Sequence, residues 1–145
     1  LPTDLTLPTG FHNPRICLPG ILAIEGPACQ DEATQNHDHI QSFCRAFDVN
    51  QPINQFPLII IVDDSSFASE SLRNFLWTVF TRSNPASDIH GIAERTVNKH
   101  WQCEGALVID ARIKPHHAPP LIEDPEVTRK IDALAARGGP LAAYL

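Results

Sequence analysis

The sequence predicts an α/β fold: a central, mainly parallel or mixed sheet with flanking helices, plus a C-terminal oligomerisation helix. The run Leu58–Val62 is short, β-branched and apolar at almost every position, which is typical of a strand buried on both faces of a sheet. A helical pattern follows this run, and a second apolar run occupies residues 106–109. Strand, helix and strand of these lengths predict a βαβ unit, whose two strands run parallel.

The N-terminal part predicts two short strands joined by a turn. Residues 11–25 alternate in hydropathy on both sides of Pro19-Gly20, which supplies the turn. Proline cannot donate to a sheet ladder, so Pro14 and Pro19 place this pair at the edge of the sheet or in irregular structure. Residues 1–10 contain prolines without a periodic pattern and predict an extended arm or the stub of a linker.

Apolar residues at helical spacing predict two further helices, over about residues 30–47 and 69–82. Ser69 is the expected N-cap of the second helix. The second helix has an apolar stripe that is expected to face the core. The stripe consists of Leu72, Phe75, Leu76, Val79 and Phe80. The segment between Asn84-Pro85 and the strand at residues 106–109 is expected to be a loop.

Asp124 followed by Pro125 predicts the start of a C-terminal helix, because Asp is a favoured N-cap and Pro fits the first helical position. Apolar residues line one face of this helix, and Gly138-Gly139 ends it. Two partners for that face are open at this point: a second copy of the chain, or the chain's own domain. The predicted organisation is an arm at residues 1–10, an α/β domain at 11–120, and a helix and tail at 121–145.

Charge and cysteine content bound the class of function. Eleven basic and 17 acidic residues give a net charge of −6, and the basic residues are scattered, so no nucleic-acid partner is expected. The apolar run Leu58–Val62 is far shorter than the roughly 20 residues of a membrane-spanning helix, so no membrane partner is expected. Four cysteines without a CxxC pair predict reduced thiols in a cytoplasmic protein.

The residues that directly follow the central strand are the main chemical candidates. Asp63-Asp64 comes at the carboxyl end of that strand, where ligands bind in open α/β sheets. The alternative is that these carboxylates only end the strand and stabilise the N-terminus of the next helix. The seven histidines form neither HxxxH nor HExxH, and His116-His117 are adjacent in a proline-rich loop, so a metal site is not expected.

Two stretches of the sequence carry a resemblance to a known family. Residues 57–89 combine a strand, an acidic break, a helix containing LW, and the sequence TRSNP followed by an Asp. Residues 105–120 combine a Gly, a strand, an Asp and a basic, proline-rich exit. With Phe11-His12-Asn13, they resemble the C-terminal part of UbiD-type decarboxylases, which use prenylated FMN to remove or add CO2 on aromatic and α,β-unsaturated carboxylic acids.

The resemblance implies that the catalytic groups and this chain belong to different parts of the enzyme. In that family the prenylated FMN, its divalent metal and potassium, and the catalytic Arg and acidic residues belong to the flavin-binding part that precedes this stretch. No catalytic, cofactor-binding or metal-binding residue is therefore expected here. The chain is expected to form one wall of the substrate pocket and much of a homo-oligomer contact. By position, Phe67, His90 and Ile92 are the expected substrate-binding residues of that wall.

Three functions follow as hypotheses. The first is the substrate-capping and dimerising domain of a UbiD-type carboxy-lyase, inactive by itself. The second is a stand-alone interaction subunit of a hetero-oligomer without its own catalysis. The third is a hydrolase that uses Asp63 or Asp64. The chain begins at Leu1 and contains no methionine, so we expect it to be part of a longer or processed protein.

Overall fold

The structure, a computed structural model, describes residues 1–29, 33–118, 122 and 124–142, and residues 33–37 by their backbone alone. The described residues form seven strands, four α-helices and one short 3-10 helix. The strands are β1 (His12–Leu18), β2 (Ile21–Glu25), β3 (Leu58–Val62), β4 (Ile89–Gly91), β5 (Glu94–Val97), β6 (His100–Cys103) and β7 (Leu107–Asp110). The helices are α1 (Ala33–Arg45), α2 (Ser65–Glu70), α3 (Leu72–Arg82) and α4 (Pro125–Ala135), and the 3-10 helix is Pro52–Gln55.

The main sheet is mixed and has five strands in the order β1-β2-β3-β7-β4. Strands β2, β3 and β7 run parallel, whereas β1 and β4 are antiparallel to their neighbours at the two edges. The predicted fold class and the parallel pairing of the two apolar runs are therefore confirmed. β1 lies at an edge with shifts in register, as its proline predicts, and Gly20 has a φ of 80° in the turn to β2.

The central strand β3 is buried on both faces, as its composition predicts. Ile59 and Ile61 point toward α1 and pack with Phe43, while Ile60 and Val62 point toward α2 and α3. Two core clusters result, one on each face of the sheet. Burying such side chains contributes about 1.5–3 kcal/mol each, so this strand anchors both helical layers.

The start of the helix predicted over residues 69–82 is wrong. The structure has two helices, α2 and α3, broken at Ser71. Asp64 caps α2 by accepting from the Phe67 N–H, and Ser71 caps α3 by accepting from the Asn74 N–H. Ser69 caps neither helix; its hydroxyl donates to the carbonyl of Ser66 inside α2. A cap forms only where the backbone leaves helical geometry, and that happens at Asp64 and Ser71.

The prediction that all five stripe residues of α3 face the core is also wrong. Phe75 and Val79 are buried, but Leu72, Leu76 and Phe80 are exposed. Helix α3 rests on the sheet along a narrow arc, so only the residues near the middle of that arc are covered. We call Leu72, Leu76 and Phe80 the α3 stripe.

The expected loop between Asn84 and residue 106 contains strand β4 and a hairpin, β5–β6, that forms a separate two-stranded sheet. The hairpin turns at Asn98 and Lys99, which both have positive φ, the geometry of a tight two-residue hairpin turn. Gly91 of β4 lets the hairpin approach closely, because a Cβ at this position would overlap the side chain of Cys103. The prediction that this whole segment is a loop is therefore wrong.

The C-terminal helix starts where it is predicted, because Asp124 accepts from the Glu126 N–H and Pro125 begins α4. It ends at Ala135, before Gly138-Gly139. No residue of α4 is buried in the chain. The prediction for α1 extends to residues 30–32, which lie outside the described residues. None of the helices that the structure describes has the length and apolar character to cross a membrane.

Candidate functional site at the carboxyl edge of the sheet

The parallel strands β2, β3 and β7 end at one edge of the sheet, which we call the carboxyl edge. Charged residues gather there because β2 and β7 end on an acidic residue and β3 is followed directly by two. Ligands of open α/β sheets bind at this edge, so its charged side chains are the first candidates for chemistry. The charged residues are Glu25, Asp63, Asp64, Asp88, Asp110, Arg112 and Lys114, with Arg82 from the end of α3.

The carboxylates of Asp63 and Asp64 are both engaged in structural hydrogen bonds. Asp64 caps α2, with 2.9 Å between its Oδ1 and the Phe67 nitrogen. Asp63 Oδ2 accepts from the Ile113 N–H at 2.7 Å and from Arg82 Nη1 at 3.2 Å. These contacts agree with the alternative in which the pair ends the strand and stabilises the next helix. None of these contacts supports a hydrolytic role for Asp63 or Asp64.

Arg112 forms the centre of a buried ionic network that the sequence-based candidates did not include. Its side chain is fully buried and bidentate, with Nε and Nη2 each 2.8 Å from an oxygen of Asp110. Nη1 donates to the carbonyl of Pro27 at 2.6 Å. Burial alone would lower the pKa of Arg112, but the hydrogen bonds and charge of Asp110 raise it above its usual value. The guanidinium is therefore charged at every accessible pH.

Lys114 extends this network to β4 and α3. Its Nζ donates to the carbonyls of Arg82 and Asp110, both at 2.9 Å, and lies 3.1 Å from Asp88 Oδ2. The network thus ties the ends of β2, β7 and α3 to the start of β4. Buried charges are tolerated when they are paired and hydrogen-bonded in this way. The sequence signal for it was the alternation of charges at positions 110, 112 and 114 directly after an apolar strand.

Glu25 organises the neighbouring end of β2. Its Oε1 accepts from the N–H and the hydroxyl of Ser65, at 3.1 and 2.9 Å, and its Oε2 accepts from Asn13 Nδ2 at 2.8 Å. His12 Nε2 lies 3.3 Å from the same oxygen. Partial burial pushes the pKa of Glu25 upward, but the hydrogen bonds from Asn13 and Ser65 outweigh it and lower the pKa. The carboxylate therefore joins β1, β2 and α2.

Phe67 lies beside the carboxyl edge in an aromatic cluster with Trp77 and Arg82. Its ring meets Trp77 edge to face, with 5.9 Å between centroids, and the Arg82 guanidinium lies 5.0 Å from the Trp77 ring centre. Both aromatic residues are close to half exposed. Edge-to-face and cation–π contacts fix the Trp77 ring while its outer surface stays open to solvent. Sequence reasoning did not include Trp77, although the pair LW marked its position.

The structure does not bring Phe67, His90 and Ile92 together. His90 is buried on β4 opposite Val108, on the α1 side of the sheet. Ile92 is fully buried in the core cluster of that same side, and its backbone pairs with Ala106 and Gly105. Phe67 belongs to α2, whose Ala68 packs on the opposite face. Substrate contact by these three residues stays a prediction, and Phe67 is the one whose side chain is exposed.

The described residues do not group the side chains that a divalent metal ion needs. In the part of the chain that the structure describes, no three His, Cys, Asp or Glu side chains are grouped to hold a metal ion. The carboxylates of the carboxyl edge already bind donors of this chain. His117 Nδ1 accepts from the Lys114 N–H at 3.1 Å, so this histidine serves the backbone. Burial, His116 and Lys114 lower the pKa of His117 and keep it neutral near pH 7.

The cysteines carry no activated nucleophile. Burial raises the pKa of Cys44 to about 12 and that of Cys17 to about 11, so both thiols stay protonated. The nucleophilic form of cysteine is the thiolate, which these environments disfavour. The described residues therefore present ionic groups that are paired with one another and, beside them, an aromatic cluster that is exposed to solvent.

Comparison with known proteins places this geometry in context. No family model matches the chain. An uncharacterized protein of Chlamydia trachomatis serovar D is 30% identical over 126 residues, which are 87% of this chain and 21% of that protein. A Chlamydia pneumoniae protein, named as a subunit of 4-hydroxybenzoate decarboxylase, is 32% identical over 79 residues, 54% of this chain and 14% of that protein. The chain is related to a decarboxylase subunit.

This relationship confirms the resemblance to UbiD-type decarboxylases that the sequence indicates. The chain spans about a fifth or less of the length of these relatives. A solved structure, the open form of vanillic acid decarboxylase from Sedimentibacter hydroxybenzoicus, aligns with 79% of this chain and 25% of its own chain at 15% identity. The TM-score of this alignment is 0.41.

Proposed function

We propose that this chain is the substrate-capping and dimerising part of a UbiD-type carboxy-lyase, which reversibly decarboxylates an aromatic or α,β-unsaturated carboxylic acid. The observation that carries this proposal is the 79-residue match to a subunit of 4-hydroxybenzoate decarboxylase. That name makes 4-hydroxybenzoate the first substrate to try. The isolated chain is proposed to be inactive, because the groups that perform the chemistry belong to the flavin-binding part.

The proposed contribution of this chain is an apolar wall formed by Phe67 and Trp77. An aromatic ring of a substrate packs favourably against such faces in offset or edge-to-face geometry. An apolar wall also displaces water from the carboxylate, which favours the loss of its charge as CO2 leaves. Arg82 holds Trp77 in place, and Asp63 in turn holds Arg82. His90 and Ile92 take part in this proposal only if the α1 side of the domain is uncovered in the complete enzyme.

Prenylated FMN, a divalent metal and potassium belong, in this proposal, to the flavin-binding part of the enzyme. When bound there, the flavin supplies the electron sink for decarboxylation. This chain supplies desolvation and shape, since the charged groups of its carboxyl edge are engaged with one another.

The second candidate is a stand-alone interaction subunit of a hetero-oligomer. The word subunit in the name of the Chlamydia pneumoniae relative favours it, as do the exposed apolar side chains of α3 and α4. The reading frame of the gene discriminates between the two functions. A flavin-binding sequence upstream in the same frame supports the capping domain, and a stop codon in that place supports the stand-alone subunit.

The test uses the polypeptide that the natural gene encodes, expressed with a source of prenylated FMN, and measures decarboxylation of 4-hydroxybenzoate. Phe67→Ala and Trp77→Ala are expected to raise KM severalfold, since each removes part of the apolar wall. Val97→Ala is the matched control, because Val97 is also an exposed apolar residue but lies on the β5–β6 hairpin. Unchanged KM and kcat in both aromatic variants of an active enzyme would refute the proposed wall.

A further inference from the structure

One ion pair at the carboxyl edge is only partly closed to solvent. Arg82 Nη1 lies 3.2 Å from Asp63 Oδ2, and the two side chains are 16% and 30% exposed. In the neighbouring pair of Arg112 and Asp110, the side chains are 0% and 5% exposed. Of these two pairs, the one formed by Asp63 and Arg82 is therefore the one that a ligand can reach.

Both members of this pair keep polar atoms that bond to no described residue. Asp63 Oδ2 accepts from the Ile113 N–H and from Arg82 Nη1, whereas Oδ1 accepts from no donor in the described part of the chain. The Arg82 guanidinium contacts Asp63 through Nη1 and lies over the Trp77 ring. An arginine has five N–H donors, so the pair keeps an open donor side as well as an open acceptor.

This combination of an open donor and an open acceptor matches a hydroxyl group. A hydroxyl donates one hydrogen bond and accepts others, so it can donate to Asp63 Oδ1 and accept from Arg82. A carboxylate can only accept, and at this place it would also be repelled by the Asp63 carboxylate. The pair is therefore better suited to a hydroxyl than to the acid group of a substrate.

The ion pair lies directly beside the proposed apolar wall. The Arg82 guanidinium is 5.0 Å from the centre of the Trp77 ring, and Phe67 meets the same ring edge to face. Aromatic rings in contact lie about 4.5–7 Å apart between their centres. A substrate ring that packs on this wall therefore brings its own substituents next to Arg82.

We propose that Asp63 and Arg82 together bind a phenolic hydroxyl of the substrate and so select hydroxy-substituted aromatic acids over unsubstituted ones. This inference rests on the proposed function and names the substrate class of its apolar wall. A hydroxyl at the 4-position, held by this pair, directs the carboxylate away from Asp63. Arg82 is thus a specificity-determining residue that does not touch the carbon–carbon bond that breaks.

The test compares kcat/KM for 4-hydroxybenzoate and benzoate, using the complete natural polypeptide loaded with prenylated FMN. Arg82→Gln is expected to lower the ratio of the two values at least about tenfold, because hydrogen bonds to a charged group are lost with one substrate only. The ratio does not depend on the folded fraction of the variant, and comparison with wild type removes the difference in reactivity between the acids. Arg95→Gln alters the exposed pair with Glu104 and is expected to leave the ratio unchanged.

A third substrate, 4-methoxybenzoate, tests the contribution of Asp63. Its ether oxygen can accept from Arg82 but cannot donate to Asp63. In Asp63→Asn, the Ile113 N–H and Arg82 are expected to hold the amide oxygen, so the NH2 group takes the place of Oδ1. The preference for the hydroxy over the methoxy substrate is therefore expected to fall severalfold in this variant, and Glu104→Gln is the matched control.

The outcomes separate this inference from the proposed function. If both acids are decarboxylated and Arg82→Gln leaves their ratio unchanged, the inference is overturned while the proposed function stands. An equal loss with both acids has the same meaning, because Arg82 then serves the carboxylate or only supports Trp77. If flavin-loaded protein decarboxylates no aromatic or unsaturated acid, the proposed function is refuted and the inference falls with it.

Discussion

Single side chains at the carboxyl edge of the sheet connect the ends of several strands and helices. Arg112 is fully buried, and its three donor groups hold Asp110 and the carbonyl of Pro27. The motif of acidic and basic residues after β7 thus does not form a ligand site in the described chain; it fastens the strand ends. The role of Asp63 and Asp64 follows the same logic, since both accept main-chain hydrogen bonds.

Replacing Arg112 by Met tests the buried pair. Removing Arg112 takes away the bidentate partner of the buried Asp110 carboxylate and leaves only the Lys114 ammonium, 3.9 Å from Oδ1, as a counter-charge. Arg112→Met is therefore expected to lower the free energy of unfolding by about 3–5 kcal/mol. Arg95→Met is the control, because Arg95 forms an exposed pair with Glu104. The control is expected to cost less than about 1 kcal/mol. Denaturant unfolding measures both, and equal losses would contradict the structural importance of the network.

Glu25 predicts a dependence of stability on pH. Its pKa is lowered in the folded chain from the ordinary value of 4.5, so its contribution to stability is fully present above about pH 4.5. The contribution is lost as the pH falls through the lower, folded pKa. Glu25→Gln is therefore expected to be less stable than wild type near pH 7, with a difference that shrinks in acid. Unfolding free energies over a pH series measure this, and a difference that grows in acid would contradict it.

At the scale of elements, the sequence predicts those strands and helix ends that depend on residues adjacent in the chain. The apolar run of β3 and the Asp-Pro start of α4 were predictable, because each depends on residues that are adjacent in sequence. The β5–β6 hairpin was not, because its strands are exposed and polar and its turn uses Asn98 and Lys99 in place of glycine. The split between buried and exposed residues of α3 also escapes the sequence, since periodicity does not distinguish a core face from a partner face.

The break between α2 and α3 gives a test at this scale. Asp64→Ala and Ser71→Ala each remove an N-cap and are expected to lower the free energy of unfolding by about 1 kcal/mol. Ser69→Ala removes a hydroxyl that caps nothing and is expected to change it by less than about 0.5 kcal/mol. Thermal or denaturant unfolding compares the three variants. A loss at Ser69 equal to those at the two caps would argue for one continuous helix.

At the scale of the whole molecule, the chain combines a sealed interior with uncovered apolar surfaces. The mixed sheet buries its apolar residues in two clusters, and the ionic network closes its carboxyl edge. The aromatic cluster and the stripes of α3 and α4 stay open. Such a distribution is typical of a domain that works against other protein surfaces. The site residues were only partly accessible from sequence, because contact across elements decides whether Phe67, His90 or Ile92 is exposed.

The proposed function assigns these surfaces to a decarboxylase, and the similarity to a protein named as a decarboxylase subunit supports that proposal. The central claim is that this chain closes the substrate pocket of a UbiD-type decarboxylase. The most direct measurement is the exchange of isotopically labelled bicarbonate into the carboxylate of 4-hydroxybenzoate and related aromatic or unsaturated acids, catalysed by the complete natural polypeptide loaded with prenylated FMN. The account predicts flavin-dependent label in at least one of these acids, reduced by Phe67→Ala. Flavin-loaded protein that labels none of the acids would contradict it.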